Sequence, residues 1–202
     1  MTDERLIHIV NAHLSKIECY FGLIGTLIAI VLISVSAILT PNYNPLENTV
    51  SSLGSGISKT LFSIGFVCSG CLGIPFLLYL EKTLIGINEF VRRIATGVAI
   101  ISSLSIALVG ILPDPEYPET FLIFHGIIAF NAFVGSVIYI CLYSYLMLKS
   151  SDYKPYHVII GFTSALDLLL LAITQFNPLV EWILTINIMA WSLITSLSLI
   201  MQ

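Results

Sequence analysis

Charge is what this sequence has least of. Asp, Glu, Lys and Arg make up 10% of its 202 residues and apolar residues 57%, whereas charged residues run near ~25% in a soluble domain. That balance excludes an ordinary soluble fold. The eight Lys and Arg are scattered, so no basic patch exists to neutralise phosphates, and nucleic acid is not an expected partner. Cysteine is scarce as well: Cys19, Cys68, Cys71 and Cys141 all fall in apolar runs, where a thiol acts as a small apolar side chain. Cys68 and Cys71 have CxxC spacing but no second pair, so packing is expected in place of zinc or dithiol chemistry. Walker, dinucleotide and EF-hand signatures are missing, and no cofactor and no metal are expected.

Six long apolar runs are what the chain does have. They span roughly 17–40, 59–80, 94–112, 120–148, 158–175 and 178–200. Each approaches or exceeds the ~20 residues that cross a ~30 Å hydrocarbon layer. The chain therefore reads as an all-α polytopic membrane protein: one domain over residues 1–202, a bundle of six transmembrane helices with no soluble domain attached. The first run is longer than the ~7–15 residues of a secretory core region, so it is expected to stay as a span. Ahead of it, Leu6, Val10, Leu14 and Ile17 repeat at helical spacing, with Asp3 placed to cap. A short amphipathic helix on the membrane surface is expected there.

Orientation follows from the basic residues. Arg5 and Lys16, then Lys82, Arg92 and Arg93, then Lys149 and Lys154 lie on alternate connectors, leaving only Lys59 on the other set. The positive-inside rule then puts both termini in the cytoplasm of a multi-pass cell-membrane protein and loops 41–58, 113–119 and 176–179 outside. Each outer loop carries proline (Pro41 and Pro45, Pro113 to Pro118, Pro178), which stops the preceding helix. Within the second span, Gly65, Ser69 and Gly73 recur every four residues. Small residues at that spacing let another helix approach closely, so a packing seam is expected.

Polar residues inside the spans are the first functional candidates. Counted from the outer loops, Asn131, Asp167 and Asn187 reach roughly the same mid-membrane depth, with Ser69 comparable. An ionised Asp in hydrocarbon costs about 2.5–3.5 kcal/mol on insertion scales, so Asp167 should face the interior. Either this cluster is a proton-accepting or polar-group site, or it is interhelical glue.

A second constellation lies at the outer surface. His125 falls one to two turns below the acidic loop with Asp114, Glu116 and Glu119. Histidine beside carboxylate is the material of an acid–base pair or a metal site. Yet His8, His13 and His157 fall at the opposite side; a single His on this side counts against a catalytic zinc site and against a bis-histidine haem at His125. The bland alternative is that His125 bonds Asp114 or an outer-loop carbonyl and pins the loop. Ser51 and Ser52 invite a nucleophile reading, Ser52 foremost, but no G-x-S-x-G elbow surrounds them.

Two outer motifs carry a resemblance. Pro41-x-Tyr43-x-Pro45 leads on to Ser52-Leu53-Gly54, and Leu112-Pro113-Asp114 is followed across the loop by His125-Gly126. With six spans, the chain resembles the membrane family catalogued as domain of unknown function 998. That resemblance implies a six-span bundle, assigns no reaction, and implies that both motifs belong to one feature at the extracytoplasmic end. The leading expectation for function is a non-catalytic accessory or structural subunit. Its partners would be membrane lipids, a quinone-like amphiphile or other membrane-protein subunits. An outer-surface lipid-headgroup enzyme using His125 and Asp114 comes second. A proton-coupled carrier using Asp167 comes third, because the spans read as uninterrupted and no inverted repeat is visible.

Overall fold

The computed structural model describes residues 3–112 and 119–202, with side chains over 17–112 and 123–202. Its helices are α1 (Asp3–Leu39), α2 (Lys59–Thr83), α3 (Glu89–Ile111), α4 (Glu119–Leu148), α5 (Pro155–Ile173) and α6 (Pro178–Met201), with a short 3₁₀ turn at Ser51–Ser55. Each of the six is long and apolar enough to cross a membrane. The expected all-helical, six-span architecture is the observed one.

Two details of the sequence reading need correction. The segment before Ile17 is not a separate surface helix: α1 runs unbroken for 37 residues and contains the span Ile17–Leu39. No glycine or proline stands between Asp3 and Phe21, so nothing in the backbone ends the helix there. Nor are the spans free of proline, because Pro75 lies inside α2 and removes one ladder hydrogen bond. Elsewhere caps set the boundaries. The Asn88 side chain accepts from the Val91 amide at 3.2 Å and starts α3, while Pro155 and Pro178 open α5 and α6, where a missing N–H costs nothing.

Short connectors make sequence neighbours antiparallel. Each helix packs on the next, and α6 returns to α1, closing a ring. The closest approach of a glycine to another helix's backbone joins α2 to α3. A Cβ added at Gly70 would stand 2.5 Å from the Ser103 carbonyl and 2.6 Å from the Ala107 nitrogen; one at Gly110 would stand 2.7 Å from the Ser63 carbonyl. The expected seam residues behave differently. Gly65 meets Leu32 and Ala29 of α1, and Gly73 meets Ser103, all at ordinary contact distances. The close backbone contact with α3 falls on Gly70, beside Ser69 of that row.

The end of the bundle away from loop 40–58 is the better filled. Leu80, Leu84, Tyr143, Leu146 and Trp191 are fully buried there. Arg92 is buried beside them and pairs with both Glu81 and Glu89, and Lys82 reaches Glu18 at 3.0 Å.

The α2–α3 contact generates a test. Gly70→Val forces two backbones apart and should cost on the order of 1–3 kcal/mol, whereas Gly97→Ala, which meets nothing within 4 Å, should keep stability or raise it slightly, since alanine favours a helix interior over glycine. Thermal unfolding of the two variants in mild detergent reads the difference.

Candidate functional site

The loop between α1 and α2 is built as a rigid cap. Pro41 ends α1, and Asn42 takes a positive φ of 58°, a conformation asparagine tolerates better than most side chains. The Asn44 carboxamide oxygen accepts from the Leu46 amide at 3.1 Å, and Asn48 returns an oxygen to the Asn44 amide at 3.0 Å. At its base, the Ser58 hydroxyl lies 2.9 Å from the Ser36 hydroxyl and 2.8 Å from that of Thr40. The chain leaves α1 and enters α2 through one hydroxyl cluster.

Helix α6 holds the cap from the side. The Tyr43 hydroxyl donates to the Thr49 carbonyl at 2.8 Å and accepts from the Trp182 indole N–H at 2.9 Å. Beside it Glu181 is 93% buried, since 7% of its surface is exposed, and its Oε1 accepts from the Val50 amide at 3.1 Å. Position 181 faces inward because it lies one turn before Thr185 and Leu184, both buried on α6. Nothing in the local sequence sets Glu181 apart as a buried acid. Its pairing with an amide 131 positions away leaves no signal in a single chain.

Beneath the cap lies an axial cavity of about 70 Å³. Val50 and Ser51 line it from the loop; Ala29, Phe66, Ile106, Ala132 and Ile188 form much of its wall, with Ser69, Ser136 and Thr185 as polar points. A second cavity of about 40 Å³ continues toward the far end and shares Ser69, Ile106, Ile188 and Met189. Helix α5 lines neither.

The outer constellation is only partly assembled. His125 is 7% exposed, and its Nδ1 lies 2.6 Å from the Leu112 carbonyl. A carbonyl only accepts, so Nδ1 carries the proton and donates. The ring thus ties α4 to the end of α3. Asp114, Glu116 and the Glu119 side chain lie outside the described residues. Ser52 donates its hydroxyl to the Thr49 carbonyl at 2.7 Å, a turn-building bond. Among the described residues no group of three His, Cys, Asp or Glu could hold a metal ion.

The mid-membrane candidates divide. Asp167 and Asn187 meet: the Asn187 amide donates to Asp167 Oδ2 at 2.7 Å and to Thr163 Oγ1 at 3.0 Å. This network is half-buried in the α5–α6 groove, off the cavity axis. Ser69 instead lines both cavities, and Asn131 is exposed on the outer face of α4. Which way each of them points is set by the rotation of its helix in the bundle. A pairing that sequence did not reveal is Ser102, which bonds the Ala132 carbonyl at 3.0 Å and Ser136 at 2.9 Å. Both nitrogens of buried His157, with Ser144 Oγ, Trp191 Nε1 and Thr195 Oγ1, have no hydrogen-bond partner among the described residues.

Two expectations follow for the cap. Glu181→Ala strands the Val50 amide and should cost about 1–3 kcal/mol, read as faster hydrogen exchange at Val50, with Glu181→Gln keeping an acceptor and most of the protection. Burial, the largest influence, pushes the Tyr43 hydroxyl from 10.0 up to about 12. An unfolded tyrosine ionises first, so this contribution is complete below the unfolded value and is lost as pH rises through the folded one. Unfolding midpoints compared across that alkaline window should fall more steeply for the native chain than for Tyr43→Phe.

No curated protein and no solved structure matches the chain. A family match extends over residues 23–198, from within α1 nearly to the end of α6, and so includes Tyr43, Ser52, Leu112 and His125 of the two loop-end motifs. The chain belongs to the family described as "Protein of unknown function (DUF998)".

Proposed function

We propose that this protein is a non-catalytic accessory or structural subunit of the cell membrane, one that holds the apolar part of an amphiphile in its axial cavity. The amphiphile is a lipid or a quinone-like molecule that inserts only the end of its chain, since about 70 Å³ is well below the ~150 Å³ that admits a benzene ring. It is presented to or shared with a larger membrane assembly. Both termini are cytoplasmic in this reading, and the cap over 40–58 faces out; the bias of Lys and Arg to alternate connectors supports it. The observation that carries the proposal is the cavity itself. Its wall is mostly apolar with a few hydroxyls from Ser51, Ser69, Ser136 and Thr185, the pattern of sites that bury an apolar group and orient it by a few polar contacts.

The catalytic and carrier readings draw less from the same geometry. His125 Nδ1 and the Ser52 hydroxyl are both spent on backbone carbonyls. Asp167 sits in a lateral groove away from the axial cavities.

Native mass spectrometry of the protein released gently from its own membrane tests the proposal. The expected spectrum shows a lipid- or quinone-sized adduct, alone or within a larger stoichiometric assembly. Ala132→Leu and Ser69→Leu fill the cavity and should reduce that adduct to background while the helical content holds. Ile159→Leu, on an exposed face of α5, should retain it. An adduct indifferent to both cavity-filling variants would overturn the proposal.

A further inference from the structure

Asn131 is a polar side chain in the wrong place for an isolated bundle. It stands on the outward face of α4, exposed, with no hydrogen bond to its side chain among the described residues. It lies twelve residues into α4, about 18 Å along the helix from its start at Glu119. Lipid chains offer an amide neither donor nor acceptor, and polar groups at such depth are found turned toward protein or water. Something polar therefore covers this face.

The neighbours of Asn131 say what. Phe124, Ile127, Asn131, Val134 and Ile138 follow one another at steps of three, four, three and four. That is a heptad seam, the period that keeps one stripe against a partner helix along a left-handed supercoil. Most of the stripe is uncovered: Phe124 is 49% exposed, Ile127 54% and Ile138 43%, with Val134 half-buried. A core-facing stripe of α4 already exists on another side, through Ile128, Ala132 and Ile140, so the seam is additional to bundle packing.

The chemistry of the amide selects the partner. Two copies inserted in the same direction are related by a twofold axis along the membrane normal, which sets α4 parallel to α4 with equal residues at equal depth. Asn131 then meets Asn131. Each carboxamide has both a donor and an acceptor, so the pair satisfies itself. A single Asn at this position of a parallel heptad seam also fixes register and favours two strands.

We infer that the protein forms a parallel homodimer through α4, with Phe124, Ile127, Val134 and Ile138 in the seam and Asn131 bonding its counterpart. The inference is independent of what occupies the axial cavity.

The full chain, labelled at a C-terminal tag and reconstituted in phosphatidylcholine liposomes, tests it by photobleaching-step counts over a range of protein-to-lipid ratios. Dimers are expected, with Asn131→Val raising the dissociation constant about tenfold, the size of one interhelical hydrogen bond in a membrane. Asn131→Gln should restore most of the association, which a purely steric role for this position would not do. Ile159→Ala on α5 should change nothing. Monomers at every density, or dimers indifferent to Asn131→Val, would overturn the inference. So would a photo-crosslinker at position 127 that captures a different protein in place of a second copy in native membranes.

Discussion

Hydrocarbon contains no water to satisfy a free N–H or C=O, and every level of this fold answers that constraint. At the backbone it selects helices, because only they close all their hydrogen bonds within one segment. For short hydroxyl side chains it favours bonds back onto the helix that carries them: Thr40 bonds the Ser36 carbonyl, Ser105 that of Ile101, and Thr174 that of Leu170. Between helices it rewards polar pairs such as Ser102 with Ser136 and Asp167 with Asn187. Where an amide is left over, as at Asn131, the same constraint points beyond the monomer.

The two ends of the bundle are finished differently. At one, charge is neutralised in pairs, Glu18 with Lys82 and Arg92 with both Glu81 and Glu89. At the other, a cap of loop backbone is held by neutral hydroxyls, an indole and one buried carboxyl. Leu53, Leu112 and Tyr43 of the two family motifs gather with Trp182 in a single apolar cluster there, and His125 ties down the Leu112 carbonyl. The motif residues thus build the end of the bundle above the cavity. There the His125 ring and the Ser52 hydroxyl are bonded to main-chain carbonyls.

Polar residues of similar depth serve three different surfaces. Ser69, Ser136 and Thr185 line the axial cavity. Asp167, Asn187 and Thr163 fill the groove between α5 and α6. Asn131 faces outward. A single waist of polar groups does not form, because the ring of helices turns each residue by its own angle about its own axis.

Sequence by itself determined the number of spans, their approximate limits and the all-helical class, since hydropathy over ~20 residues is a local property. It also marked the loop-end motifs, because proline and asparagine act on the backbone where they stand. It did not reveal that α1 absorbs the amphipathic segment or that α2 runs on through Pro75. Only the tertiary structure decided which way each polar side chain points. Glu181 meets Val50, His125 meets Leu112, and Gly70 is the α2 glycine that meets the backbone of α3. Those outcomes depend on helix rotation and on contacts between distant segments. Rotation is set by the packing of the whole ring, and no local pattern records it.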